Sequence, residues 1–446
     1  MAIMCDRETV MNDRVRDELN ELREYLNISE DAEPDGHEEL KDWLSKALLS
    51  INKTQDSEQD SEAGGKYSLA NDLNRGNFLH EDVPKIVMDY FTQLVGSGEF
   101  QITDEQQQVF EQLNAQIQNN IGWRYYTGDG VEKDFKQAMH WFNKAAEKAY
   151  APAQNNLGWC YKNGEGVEKN FDKAAEWFKK AASNGHMPAQ NNLAWRYFLG
   201  EGVKKDNANA MLWLEKAASQ GYAVAQSNLG LHYYRGDFIA IDFDKAFYWF
   251  EKAAQKGYPP GQHSLGLCYH KGNGVNRDLV QAFELFSKAA GQGYLASQIG
   301  LGLCYHKGEG AKQDFASAAH WFKEAASRGD ASAQNRIGWY YYQGVGVEKD
   351  FTQAVFWFKK AAEAGVASAQ NNLAWCCKNG EGIEKDLTLA TYWFEKAATA
   401  GNALAQTNLA WRYKTGDSVR QDLEKAKHWF KKAAEQGHAP AQRELA

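Results

Sequence analysis

Two copies of one short motif bring cysteine and histidine close together in the sequence. The motif LGLCYHKG occurs twice, 36 residues apart, and contributes Cys268, His270, Cys304 and His306. Zinc prefers ligands of these two types. Residues two apart on a helix point about 200° apart, so the two side chains of one copy cannot easily face one ion. The sequence therefore predicts no metal site and no cofactor.

Other motifs typical of enzymes lack the companions that their chemistry needs. Ser50 and Lys53 form a lone S-x-x-K without the further motifs of penicillin-recognising enzymes. The segment GEGVEK at 164–169 contains G-x-G, but no predicted strand precedes it, which argues against a dinucleotide site. We therefore predict that the chain is not an enzyme and name no catalytic residue. A weak hydrolase resembling a β-lactamase is the least favoured alternative.

Tryptophan and asparagine recur together at 36-residue spacing and could bind a polypeptide. Tryptophan offers a broad apolar surface, and asparagine can both donate to and accept from a peptide backbone. Alternatively, tryptophan fills the groove between helices and asparagine bonds to a loop or helix end of the next repeat. The sequence alone leaves both interpretations open. The candidate binding residues are Asn120, Trp123, Asn156, Trp159, Asn192, Trp195, Trp339, Asn372, Trp375, Asn408 and Trp411.

A second tryptophan column recurs at the same spacing beside a phenylalanine. For this column we predict structural packing, because a large aromatic side chain that covers a neighbouring helix recurs for that reason. Leu285 interrupts it once. Its members are Trp141, Trp177, Trp213, Trp249, Trp321, Trp357, Trp393 and Trp429.

The elements that position these residues follow from a 36-residue repeat. Nine units fill residues 115–438 without insertion or deletion, and a partial tenth closes the chain at 439–446. In the unit at 151–186, apolar residues at i, i+4 and i+8 predict a first helix, and Ala174, Phe178, Ala181 and Ala182 predict the core face of a second. A glycine-containing loop joins the two helices.

One polar column predicts where each second helix begins. Aspartate and asparagine accept hydrogen bonds from the first backbone N–H groups of a helix, so they are typical N-caps. The second loop glycine becomes Phe238 in the fourth unit and Ser418 in the ninth, where we expect differently shaped loops. The N-cap column is Asp134, Asn170, Asp206, Asp242, Asp278, Asp314, Asp350, Asp386 and Asp422.

These motifs resemble the Sel1-like repeat, a relative of the tetratricopeptide repeat, over about three quarters of the chain. The resemblance implies antiparallel helix pairs stacked into a right-handed superhelix with a concave inner face. It also implies adaptor or scaffold work without a shared active site, and it places the first-helix tryptophans in the concave groove. We therefore predict an all-α solenoid of nine helix-turn-helix repeats.

The N-terminal region lacks the repeat and differs in charge from the rest. Residues 1–114 carry a net charge of -16 and residues 115–446 carry +7. We divide the region into an acidic helical part with a linker at 1–66 and a helical cap at 67–114, with helices expected at 6–26, 37–51 and 83–95 and the linker itself at 53–65. The region is either a partly ordered cap with a solubilising tail or an autoinhibitory segment that competes with a ligand.

The repeats themselves fall into three groups. Repeats one to three and seven to nine carry tryptophan in the first-helix column, whereas repeats four to six carry Leu231, Leu267 and Leu303. We expect two similar binding stretches separated by a different one.

Charge and composition limit the partner and the compartment. The net charge of -9 argues against nucleic-acid binding, no apolar run approaches a membrane span, and six cysteines are too sparse for a disulfide scaffold. We predict a cytoplasmic protein, or one exported without a Sec signal. The predicted function is an adaptor or scaffold that binds a protein or peptide in the groove. The alternatives are a regulatory subunit that activates or inhibits an enzyme and a bacterial effector acting on host proteins.

Overall fold

The structure, a computed structural model, describes residues 104–129 and 132–445. Several sequence-based expectations lie outside these residues, namely the helices at 6–26, 37–51 and 83–95, the linker at 53–65 and the S-x-x-K motif. The described residues form α-helices joined by short turns and loops, with no strand among them, which confirms the predicted all-α class. The chain divides into two units, residues 1–220 and 221–446.

The described residues of the first unit form three helix pairs. Its first helix begins in the predicted cap region and continues without a break into the first repeat. The helices are α1 (Asp104–Thr127), α2 (Phe135–Glu147), α3 (Ala151–Asn163), α4 (Phe171–Ser183), α5 (Met187–Leu199) and α6 (Asn207–Ser219).

The second unit holds six further pairs and the terminal half-repeat. The helices are α7 (Ala223–Arg235), α8 (Phe243–Gln255), α9 (Pro259–Lys271), α10 (Leu279–Gly291), α11 (Leu295–Lys307), α12 (Phe315–Ser327), α13 (Ala331–Gln343), α14 (Phe351–Glu363), α15 (Ala367–Asn379), α16 (Leu387–Thr399), α17 (Ala403–Thr415), α18 (Leu423–Glu435) and α19 (Ala439–Leu445).

All nine predicted N-caps begin the second helices. In the first repeat the Asp134 side chain accepts hydrogen bonds from the backbone N–H groups of Lys136 and Gln137, at 2.8 and 3.1 Å. The eight corresponding residues also accept from backbone N–H groups of their own helices. Each cap satisfies donors that a helix terminus otherwise leaves unpaired, which fixes the loop-to-helix boundary.

The predicted apolar faces form the core of each repeat. Ala153 and Leu157 of α3 are completely buried, as are Ala174 and Ala181 of α4, and Phe178 is 1% exposed. Small alanines allow the helices to approach closely, and the phenylalanine fills the space between them. Burial of these side chains holds each helix pair together.

The second tryptophan column joins consecutive repeats, as predicted. Trp177 of α4 packs against a core cluster that contains Phe142 of the preceding repeat and Leu157 of its own repeat. Trp213 of α6 packs in the same way against the cluster around Phe178. These side chains therefore cover the open side of the neighbouring core.

The glutamine that marks each repeat has a structural role that the sequence did not reveal. The Gln154 Nε2 group donates to the carbonyl oxygen of Ala146, near the end of α2, at 3.3 Å. Its Oε1 atom accepts from Asn184, which follows α4, at 3.2 Å. The buried amide thus connects three consecutive helices and satisfies a helix-end carbonyl.

The second loop glycine makes a close backbone contact between repeats. Gly166 has a φ of 73°, and a β-carbon there would lie 2.3 Å from the carbonyl oxygen of Phe135 in the preceding repeat. Ser418 keeps a positive φ of 64°, so the loop of the ninth repeat retains the glycine-like conformation at that residue, contrary to our expectation. Phe238, in contrast, does not have a positive φ, so the loop of the fourth repeat differs as expected.

Candidate functional site

In each of the two units, the first helices carry partly exposed tryptophans. We call these side chains and the exposed positions beside them the first-helix face of that unit. Trp123 is 50% exposed, Trp339 and Trp411 are each 40% exposed, and Trp375 is 39% exposed. Trp159 and Trp195 are half-buried. Buried area on the inner side of each ring and open area on the outer side make these residues available to a ligand.

The inner edges of these rings rest on the core, and lysines cover part of the outer faces. The Trp159 ring meets Phe178 edge to face, with centroids 5.9 Å apart. The Lys162 ammonium lies 4.2 Å from the centre of the Trp159 ring, and Lys378 lies 4.9 Å from that of Trp375. The Trp159 ring is thus held in place by its own helix and its core contact before any partner binds.

The asparagines of the same helices bond to one another across repeats. Asn156 Nδ2 donates to Asn119 Oδ1 of the preceding repeat at 2.9 Å, and Asn192 donates to Asn155 at 2.9 Å. The second unit repeats this arrangement with the pairs Asn372 to Asn335 at 3.0 Å and Asn408 to Asn371 at 3.2 Å. The asparagines therefore have an inter-repeat structural role, although with side chains of the preceding first helix rather than with the next repeat's loop or helix end.

Repeats four to six present different chemistry at the same positions. Leu231, Leu267 and Leu303 are half-buried, and the asparagine column is interrupted by Ser264 in repeat five, Gly300 in repeat six and Arg336 at the start of repeat seven. The last residue of the first helix is basic and exposed in these three repeats only, at Arg235, Lys271 and Lys307. The six other first helices end in uncharged residues, at Thr127, Asn163, Leu199, Gln343, Asn379 and Thr415.

The repeated cysteines and histidines have separate surroundings. Cys268 and Cys304 are buried, and burial raises the pKa of the Cys268 thiol to about 12 and that of Cys304 to about 11. His270 Nε2 lies 3.0 Å from Glu309, whereas His306 Nδ1 lies 2.6 Å from the Tyr340 hydroxyl. No cluster of three metal-binding side chains occurs among the residues that the structure describes.

The hydrogen-bond partner of the loop carboxylate differs with the residue type at one position of the first helix. Where the column holds cysteine, as at Cys160, the loop residue Glu165 accepts from the Tyr126 hydroxyl of the preceding repeat at 2.7 Å. Where it holds arginine, the buried Arg196 pairs with Glu201 of its own repeat. The sequence contains a signal for this alternation, because each cysteine follows a tyrosine or histidine 34 residues earlier, at Tyr126, Tyr234, His270 and Tyr342.

No helix in the described parts of the chain is long and apolar enough to cross a membrane. The described cysteines, Cys160, Cys268, Cys304, Cys376 and Cys377, are all free and buried.

Comparison with known proteins gives consistent matches to one family. One match is the crystal structure of a protective antigen present in uropathogenic Escherichia coli strains, described as displaying an SLR fold. Its sequence is 34% identical, and the alignment covers 77% of this chain and 82% of the antigen chain, with a TM-score of 0.55. The Sel1 repeat protein from Oxalobacter formigenes is 31% identical, with coverage of 74% and 93% and a TM-score of 0.54. No curated protein gives a significant match.

The family model for the Sel1 repeat matches nine segments, at residues 115–150, 151–186, 188–222, 223–258, 259–294, 295–330, 331–366, 367–402 and 403–438. These segments agree with the repeat boundaries read from the sequence, and together they cover most of the chain. The chain therefore belongs to the Sel1 repeat family.

Proposed function

We propose that this protein is an interaction scaffold that binds a protein or peptide partner through its first-helix face. The observation that carries the proposal is the contrast between the two tryptophan columns. Second-helix tryptophans such as Trp177, Trp213 and Trp393 pack against core clusters, whereas four first-helix tryptophans remain 39–50% exposed. Tryptophan is enriched among residues that dominate protein interfaces, so exposed rings that recur on the first helices of a unit favour binding.

The binding residues of this proposal are the first-helix tryptophans, with the asparagines in a supporting role. An asparagine such as Asn156 already donates one N–H to the preceding repeat. Its second N–H and its carbonyl oxygen are the groups that a peptide backbone could use. A ligand on this face would therefore contact rings that the asparagine bonds help to align.

We also propose that the protein is not itself a catalyst. Burial raises the pKa of Cys160 and of Cys376 to about 12, so these thiols stay protonated at neutral pH and are poor nucleophiles. Free buried thiols also favour a reducing compartment such as the cytoplasm.

Affinity capture with three forms of the protein tests the proposal. The first is the wild type, and the second carries Trp159→Ala, Trp195→Ala and Trp375→Ala. The third is a matched control that removes three exposed second-helix aromatics by Tyr248→Ala, Phe356→Ala and Tyr392→Ala. We expect the tryptophan variant to lose a partner that the wild type and the control both retain. Equal recovery by the folded tryptophan variant would contradict the proposal.

A further inference from the structure

The first helices have a charge bias that stacking does not require. From residue 115 onward, the nine first helices contain no aspartate or glutamate, although residues 115–446 include 33 acidic residues in all. The acidic residues lie in the loops and second helices. The basic residues of the first helices can therefore pair only with carboxylates of other segments, as the buried Arg196 does with Glu201.

The last residue of the first helix can be compared among the nine repeats. Arg235, Lys271 and Lys307 each end a first helix, where a cation interacts favourably with the helix dipole. The six repeats that end in uncharged residues fold into the same helix pair, so the helix does not depend on this charge. Basic residues also occur in the last turn of other first helices, as at Lys162 and Lys378, but only in repeats four to six does one occupy the final, exposed position.

Side-chain contacts place these residues along one edge of consecutive repeats. Lys271 Nζ donates to the Tyr234 hydroxyl of the preceding repeat at 3.2 Å. Lys307 Nζ lies 3.6 Å from Glu309, which is also bonded to His270 of the preceding repeat. Arg235 ends the first helix of repeat four at the equivalent position.

The surroundings of this edge remain basic after its carboxylates are counted. Two loop carboxylates lie beside it, Asp237 near His232 at 4.0 Å and Glu309 near Lys307. The corresponding loop position of repeat five is the uncharged Asn273, and the exposed Arg336 follows in repeat seven. Three half-buried leucines replace tryptophan beside these charges, so the edge combines aliphatic and cationic contacts.

We propose that repeats four to six bind an acidic, leucine-containing peptide segment of the partner along the edge formed by Arg235, Lys271 and Lys307. Carboxylates of the ligand would pair with the three cations, and its aliphatic side chains would contact the leucine row. This inference rests on the proposed function, because it uses the same first-helix face and specifies the chemistry of the ligand.

Fluorescence anisotropy with a synthetic probe tests the inference on the full chain. The probe is a labelled peptide in which glutamate alternates with alanine and leucine, and its analogue carries glutamine at every glutamate. Exposed ion pairs contribute about 0.5 kcal/mol each, so Arg235→Gln, Lys271→Gln and Lys307→Gln together should weaken binding of the acidic probe by roughly tenfold. The weakening should fade as salt is raised.

A matched variant removes the same charge from the same repeats. Lys252→Gln, Lys288→Gln and Lys323→Gln lie on the second helices of repeats four, five and six. We expect this variant to bind the acidic probe within about twofold of the wild type. Equal weakening by both variants, equal binding of the glutamine analogue, or no binding by the wild type would each overturn the inference. Capture of a partner that requires the tryptophans but is unaffected by the first-helix charge variant would overturn this inference and leave the proposed function standing.

Discussion

Repeats four to six and repeats seven to nine lie in one unit and share their stacking contacts, yet they differ on the first-helix face. Both groups have aspartate N-caps, a buried phenylalanine and a buried glutamine. The first group presents half-buried leucine and exposed cations, whereas the second presents exposed tryptophan and bonded asparagines. Positions that hold the repeats together are thus separate from positions that distinguish one repeat from another.

The difference indicates which residues the fold requires and which it leaves free to vary. A solenoid is stabilised by contacts within each repeat and between nearest neighbours, so equivalent core positions should have equivalent effects. Exposed first-helix positions should instead change binding with little effect on folding.

Substitution of a core phenylalanine should have the largest effect on stability, and the effect should be similar in both groups of repeats. Phe322 of repeat six is completely buried and Phe394 of repeat eight is 1% exposed. Each phenylalanine-to-alanine substitution should lower the free energy of unfolding by about 3–5 kcal/mol, because it removes apolar contacts and leaves a cavity. Urea denaturation of the two variants checks this expectation. A loss below about 1 kcal/mol in only one group would show that the two groups are not held together in the same way.

A second prediction separates backbone contact from backbone conformation within repeats seven to nine. A β-carbon at Gly382 would lie 2.1 Å from the Phe351 carbonyl oxygen, whereas one at Gly365 meets nothing within 4 Å, and both residues have positive φ. Gly365→Ala should lower the free energy of unfolding by about 1 kcal/mol, because a residue with a β-carbon is disfavoured at positive φ. Gly382→Ala should cost more than about 2 kcal/mol, because the neighbouring repeat must also move. Similar thermal stability of the two variants would refute the close inter-repeat contact.

A third prediction concerns a titratable residue where the two groups differ. His263 occupies the column that holds Asn335 in repeat seven, and burial lowers its pKa from 6.5 to about 4. Its ring bonds to Ser297 at 2.9 Å. The pH interval of interest lies between the ordinary pKa of 6.5 and the folded-state pKa of about 4. As the pH falls through this interval, the unfolded chain gains a proton that the folded chain does not, so stability decreases.

The variant His263→Asn should remove that part of the pH dependence. Between pH 7 and pH 4 the wild type should lose roughly 2 kcal/mol more stability than the variant, a figure reduced from the full shift because the ring is partly exposed. Urea denaturation at both pH values measures the difference. Parallel losses in the two proteins would show that His263 is protonated equally in the folded and unfolded states.

Repeat boundaries, helix pairs and N-caps were predictable because each depends on local spacing. Aspartate, or asparagine at Asn170, directly precedes the second helix in all nine repeats. The packing of the second tryptophan column was predictable because it adjoins the core phenylalanine. These features need only the 36-residue period and the preferences of helix termini.

The contacts between repeats were harder to predict, because they depend on distances that the period does not reveal. Asn156 reaches Asn119, and Gln154 reaches both Ala146 and Asn184. The choice of bond at Glu165 depends on whether the neighbouring column holds cysteine or arginine. Partial exposure of Trp375 also depends on the three-dimensional stacking.

Two tryptophans of repeat eight allow a direct test of whether the first-helix face binds the partner. Trp375 is on the first helix and 39% exposed, whereas Trp393 is on the second helix and packs against the core cluster around Phe358 and Phe394. The measurement is the affinity of a captured partner for each alanine variant, with the free energy of unfolding determined on the same samples.

We expect the two substitutions to have opposite effects on binding and stability. Trp375→Ala should weaken partner binding by about tenfold or more while lowering stability by less than about 1 kcal/mol. Trp393→Ala should lower stability by about 2–3 kcal/mol and leave the affinity of the folded protein unchanged. Unchanged affinity of Trp375→Ala, or a larger loss of affinity in Trp393→Ala, would contradict the claim that the first-helix face binds the partner.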